Sequence, residues 1–245
     1  MLKTYKIVVL SSILFLFTSL SVGAKESEEN YFPPEFENYG QYRNAPDYYS
    51  TDHQEKLDEK IKSSNNYMSQ KNKARSGGAN ELSVTRYTQE KDWYCGPASA
   101  QMVIKYKKGV LYSQTTLAGK NYLETDLDGK TTYVWKVTRT LQKLTGLNYE
   151  HSLVSQVNLG NSLVTDIDSN CPLILNPLST SLPGFQGVKT YGHYVVGTGY
   201  EWNSQGSQSY SNVIYLDPWK SNGRKVINVS DMVTAISKNT GYFIW

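Results

Sequence analysis

The stretch Gln89-Glu90-Lys91-Asp92-Trp93-Tyr94-Cys95-Gly96-Pro97-Ala98-Ser99 decides how the rest of this chain is read. Pro97 suits the first position of a helix, because its missing N–H would have no partner there. A helix is therefore predicted over Pro97 to Lys107, with Ser99, Met102, Val103 and Tyr106 on one face and Gly109 as its stop. Cys95 stands just before that helix. Unpaired N–H groups and the helix dipole favour negative charge on its sulfur, the nucleophilic form. Gly96 lets the chain turn closely. Gln89 lies six residues upstream, where its side-chain amide is a candidate donor to an oxyanion, beside the backbone N–H of Cys95.

Two later stretches supply what a nucleophilic sulfur needs. In Tyr191-Gly192-His193-Tyr194-Val195-Val196-Gly197, His193 opens an apolar strand, where an imidazole can serve as general base. In Val213-Ile214-Tyr215-Leu216-Asp217-Pro218-Trp219, Asp217 ends a strand, where it can accept the imidazole N–H and fix the tautomer. Alone, each has an ordinary reading: an incidental cysteine, a satisfied core histidine, an Asp-Pro turn. Together, Gln89, Cys95, His193 and Asp217 form a candidate catalytic set, each at an element boundary of one domain.

Around these residues the pattern predicts helices over Ser113 to Leu123, Thr132 to Thr145 and Ser230 to Ser237. Strands are expected over Leu82 to Tyr87, Leu173 to Leu175, Tyr194 to Tyr200, Val213 to Leu216 and Tyr242 to Trp245. Helices first and strands later describe an α+β domain over residues 81–245.

The N-terminus reads differently. Lys3 and Lys6, the apolar run Ile7 to Phe17 and the small residues Val22-Gly23-Ala24 form a secretory signal peptide over 1–24, with cleavage after Ala24. The apolar run is short for a membrane span, so a soluble, exported protein is expected, with no membrane partner after cleavage. Residues 25–80 read as a polar, disordered linker or propeptide. Glu26 to Lys60 carries ten acids against three bases, aliphatic residues are nearly missing, and one short helix is predicted near Asp52 to Ser63.

The whole chain has 25 Lys and Arg against 22 Asp and Glu, a balance that argues against a nucleic-acid partner. Two cysteines and three histidines, far apart, make no zinc set. Asp126-Leu127-Asp128-Gly129 resembles the start of a calcium loop, but Val137 stands where such a loop needs its glutamate. No metal or cofactor is expected. Cys171 reads as a small core residue, or else as a redox lock on Cys95. His53 and His151 are expected to be exposed.

The Gln-x5-Cys-Gly-Pro-Ala-Ser segment, the Gly-His-Tyr-Val-Val strand and the Leu-Asp-Pro-Trp segment resemble the papain-like cysteine peptidases. The branch they resemble is similar to the bacteriocin-processing, double-glycine leader peptidases. The resemblance implies a helical subdomain carrying the cysteine, packed on an antiparallel sheet carrying the histidine and aspartate. It also implies Cys95 as nucleophile, His193 as base and then acid, Asp217 as orienting residue and Gln89 as oxyanion donor. The expected activity is hydrolysis of peptide or protein substrates. Cell-wall peptide cleavage and non-catalytic peptide binding are the alternatives on the same fold. Because such peptidases cut after paired glycines, Gly77-Gly78 marks the chain's own N-terminal segment as a possible substrate.

Overall fold

A computed structural model describes residues 51–73, 78–185, 191–202 and 210–245. The signal segment 1–24, most of the acidic stretch and Gly77 lie outside the described residues. Seven strands build one sheet in the order β2-β7-β3-β4-β5-β6, with β1 on the free part of β4's edge. They are β1 (Gly78–Glu81), β2 (His151–Leu153), β3 (Leu173–Leu175), β4 (Val195–Trp202), β5 (Tyr210–Leu216), β6 (Arg224–Asn228) and β7 (Tyr242–Ile244). Every pairing is antiparallel.

The sheet is covered on both faces, which explains its uninterrupted apolar runs. Ile174, Val196, Leu216, Tyr242 and Ile244 meet helices α2 (Cys95–Lys108) and α4 (Val134–Thr145) on one face. The short α3 (Gln114–Ala118) adds Leu117 to that core. Their strand neighbours Leu173, Leu175, Val195, Val213, Tyr215 and Phe243 meet α5 (Gln156–Asp168) and α6 (Val229–Ser237) on the other. The observed architecture is thus α+β, as expected; in the second helical layer α6 matches the helix predicted over Ser230 to Ser237, while α5 was not foreseen.

Three local expectations change. Leu82 to Tyr87 is not a strand. Glu81 pairs with Gly199, but by Gly197 the same edge of β4 belongs to Leu173 of β3. The incoming chain must therefore leave the sheet after the Leu82 N–H bonds the Thr198 carbonyl at 2.8 Å. The helix expected over Ser113 to Leu123 is cut to α3; the Ser113 hydroxyl caps it and Gly119 ends it. The polar segment is not a linker throughout, since α1 (Thr51–Lys73) is a long helix docked against α5.

Few apolar side chains hold α1: Leu57 and Met68 are buried, and Ile61 packs beside them. Polar contacts add to these, including Ser64 to Thr165 at 2.9 Å and Asn161 to Asn65 at 2.9 Å. Lys60 lies 3.5 Å from Asp166 and 4.5 Å from the centre of the Trp245 ring. Asp168 accepts from Lys71 and Tyr67 of α1, from Asn80 of β1 and from Tyr200 of β4. Among the described residues no helix is long and apolar enough to cross a membrane.

The histidines expected at the surface are both packed into this docking. His53 Nδ1 lies 2.5 Å from Glu150, and its ring stacks on His151 at 4.1 Å. Burial, and then the nearby His53, push the His151 imidazole down to about 3. The folded chain therefore keeps His151 neutral where the unfolded chain, near pH 6.5, takes up a proton. Stability from this residue is complete above that pH and is lost as pH falls toward 3, at about 1.4 kcal/mol per pH unit. Between pH 7 and pH 5, His151→Gln should lose about 2 kcal/mol less than the wild type does in urea unfolding. An equal loss in both proteins would contradict this.

Candidate active site

Cys95 is the first residue of α2, and the helix's N-cap, Tyr94, makes no side-chain capping bond. The N–H groups of that first turn have no partners within the helix. Gly96 is needed for space: a Cβ there would come within 2.5 Å of Thr132 Cγ2. Thr132 cannot give way easily, because its hydroxyl bonds Thr125 at 2.8 Å and its carbonyl accepts from Tyr194 at 2.9 Å. Tyr94 is buried and donates to Asp126 at 2.6 Å, while Trp93 donates to the same carboxylate. The acidic loop thus braces the residues before Cys95, and Glu124 and Asp128 of that loop both bind Lys136.

His193 sits just ahead of β4, its N–H bonded to the Pro177 carbonyl at 2.9 Å. Gly192 is required because a Cβ would lie 2.9 Å from the Asn239 amide, which ties down Asn176 and Pro177. Across β4 and β5, His193 Nε2 meets Asp217 Oδ1 at 2.8 Å, and both side chains are completely buried. The acid is held from three directions: Oδ1 also accepts the Trp219 N–H, and Oδ2 accepts the Asn222 amide, both at 2.8 Å.

The second imidazole nitrogen, Nδ1, makes no conventional hydrogen bond. The Cys95 sulfur is nonetheless near enough to influence the ring electrostatically, though it is not within hydrogen-bond geometry of Nδ1. Burial alone would lower the basicity of His193. The Asp217 charge and hydrogen bond, and then the Cys95 sulfur, outweigh it and hold the imidazole well above its ordinary range. Burial likewise opposes the Asp217 carboxylate, but the His193 charge and its three donors keep it below its usual value. Aromatic rings enclose the imidazole: Phe185 at 5.1 Å and Tyr191 at 6.1 Å, with Trp219 5.8 Å from Phe185. Cys95, His193 and Asp217, far apart in sequence, are therefore brought together.

Gln89 is buried nearby, but its amide is occupied. Nε2 donates to the carbonyls of Lys91 at 2.9 Å and Asp92 at 2.8 Å, while Oε1 is buried without a partner. Serving an oxyanion requires Gln89 to release one of these bonds. Sequence reasoning missed Asn222, whose Ser-Asn-Gly setting carries no signal beyond a turn.

Two further expectations meet geometric limits. Both cysteines are free thiols. Tyr106, near the far end of α2, bonds Asn170 next to Cys171, eleven residues along the helix from Cys95. At 1.5 Å per residue that is roughly 16 Å, too far for a disulfide within one molecule. Gly78 pairs with Trp202 at the far end of β4 from His193, roughly 25 Å or more along the strand. Cleavage there requires β1 to leave the sheet or a second molecule to act.

Solved structures show a distant likeness. A protein from Bacillus anthracis described as a C39-like peptidase has a TM-score of 0.48 at 16% identity, covering 68% of this chain and 96% of its own. The peptidase domain of Streptococcus ComA, a bifunctional ABC transporter of a quorum-sensing pathway, has a TM-score of 0.43 at 22% identity, covering 65% and 94%. Bromelain from Ananas comosus, in complex with the E64 inhibitor, has a TM-score of 0.42 at 14% identity, covering 68% and 97%. No curated protein matches the chain. Residues 81–241 match the model of the family described as "Peptidase_C39 like family", well over half of the sequence, and the chain belongs to that family.

Proposed function

We propose that this chain is an exported cysteine peptidase in which Cys95, His193 and Asp217 act as one unit. The observation that carries the reading is the buried 2.8 Å contact from His193 Nε2 to Asp217, which leaves Nδ1 unoccupied on a ring that the Cys95 sulfur is close enough to influence. Transfer of the Cys95 thiol proton to Nδ1 gives a thiolate–imidazolium pair, and the sulfur attacks the substrate carbonyl. The tetrahedral oxyanion takes the Cys95 backbone N–H and, once it turns from Lys91 or Asp92, the Gln89 amide. His193 gives its Nδ1 proton to the departing amine, leaving a thioester. Neutral His193 then takes a proton from water, whose oxygen attacks the thioester; the acid product leaves and the thiolate–imidazolium pair returns. Asp217 keeps Nε2 protonated throughout. Export of a product cut after Ala24 belongs to the same proposal.

Incubating the purified chain with a denatured protein and, separately, with peptidoglycan tests the substrate class. New N-termini from the denatured protein are expected. Fragments from peptidoglycan alone would move the assignment to cell-wall peptides. Turnover of neither, with an inert Cys95, would leave a peptide-binding domain.

A further inference from the structure

Asp217, Pro218 and Trp219 carry three successive carbonyls, and one short segment binds them all. Arg86 Nε donates to the Asp217 carbonyl at 2.7 Å, and another of its nitrogens donates to the Trp219 carbonyl at 2.5 Å. The Gln89 N–H takes the Pro218 carbonyl between them at 2.9 Å. The remaining guanidinium nitrogen reaches Thr88 at 3.2 Å. Among the described residues no carboxylate pairs with Arg86, so its cation is spent on backbone oxygens.

We propose that Arg86 is the positioning residue of this site: by spanning the carbonyls on either side of Pro218, it holds the Asp217 carboxylate against His193 and so keeps the imidazole aimed at Cys95. The role rests on the catalytic reading above and adds a residue to it.

The reasoning is mechanical. Asp217 lies just past the end of β5; its N–H still bonds the Gly223 carbonyl at 2.9 Å, but Pro218 has no N–H to help fix the turn that follows. Trp219 bonds Asp217 Oδ1, and the Asn222 N–H bonds the Trp219 carbonyl at 3.0 Å. The Asn222 side chain then reaches Asp217 Oδ2. Both carboxylate oxygens are thus referred to the backbone of Trp219, through its N–H and its carbonyl, and Arg86 anchors the carbonyl. Arg86 also lies on the run that leads through Gln89 to Cys95. One guanidinium therefore registers the sheet side of the site, carrying acid and base, against the helix side carrying the sulfur. A planar fork can span two carbonyls; an ammonium is a point charge and cannot do so in the same way.

The test uses the full chain and needs no substrate. Wild type, Arg86→Gln, Arg86→Lys and His193→Ala are compared in the rate of Cys95 alkylation by iodoacetamide at pH 7. The His193 titration is followed by NMR in the first three, and thermal unfolding is recorded for all. Arg86→Gln should slow alkylation by on the order of tenfold to a hundredfold while staying folded, and should shift the His193 midpoint downward. Arg86→Lys should recover only part of the rate, and added methylguanidinium should restore it in Arg86→Gln. A folded Arg86→Gln with wild-type rate and midpoint overturns the role, provided His193→Ala is slow. If His193→Ala also alkylates at the wild-type rate, the catalytic reading falls and this role with it. If both Arg86 variants unfold, Arg86 serves the fold and not the site.

Discussion

Replacing Cys95 by alanine is expected to abolish hydrolysis, by at least about 10⁴-fold, while leaving the fold in place. No neighbouring group replaces the sulfur, because Cys171 lies beyond the other end of α2. The structural cost should be small. Cys95 contributes only a minor part of a core dominated by Met102, Val103, Ile104, Leu117 and Leu141. Alanine is also well tolerated in a helix. Thermal unfolding should move by no more than about 1 kcal/mol in stability. Residual turnover in a folded Cys95→Ala protein would refute the assignment, whereas loss through unfolding would show up in the melting curve.

Asp217→Asn should lower turnover by roughly 10²- to 10⁴-fold. The carboxylate accepts three donors: His193, the Trp219 N–H and the Asn222 amide. An asparagine offers one acceptor oxygen and an NH2 group, so one of the present donors must face another donor. The imidazole also loses the charge that opposes its burial. His193 is raised above its ordinary value only because the Asp217 charge and hydrogen bond, with Cys95, outweigh desolvation. Without that charge, burial dominates and the sign reverses. In the wild type, the stability linked to the raised imidazole is complete below about pH 6.5 and is lost as pH rises through its elevated midpoint. In Asp217→Asn the midpoint should fall below 6.5, moving the pH dependence to the acid side. NMR titration of the His193 ring measures this directly. An unchanged midpoint would mean that Asp217 does not set the charge of His193.

Much of the site was legible in the primary structure because its members sit where elements begin or end. Cys95 is next to the helix-starting Pro97, His193 just ahead of β4, and Asp217 just past the end of β5. Such positions leave a side chain free of regular packing and available to a distant partner. Gln89 was legible as a neighbour but not in its hydrogen bonding, because its acceptors are carbonyls two and three residues away in a folded turn. Arg86 was invisible for a related reason: its partners are backbone oxygens more than 130 residues distant, which no spacing encodes.

The fold shows the same division. β3, β4 and β7 announce themselves as apolar runs because both faces are covered. α5 was missed because Asn158, Gly160, Asn161, Thr165 and Asp166 are poor helix formers; its buried stripe of Leu159, Leu163, Val164 and Ile167 makes the helix. The length of α1 was missed because its docking depends on charged partners supplied by α5 and by the chain before β2, with too few apolar residues of its own to mark a face.

Limited alkylation of the intact protein, read by mass spectrometry at each cysteine, tests the central claim most directly. Exposure alone favours Cys171, which is half-buried, over the buried Cys95. A sulfur poised against His193 reverses that order: at pH 7 and limiting iodoacetamide, Cys95 should be modified about tenfold or more ahead of Cys171. Modification of Cys171 first, with Cys95 left unlabelled in the folded chain, would contradict the account.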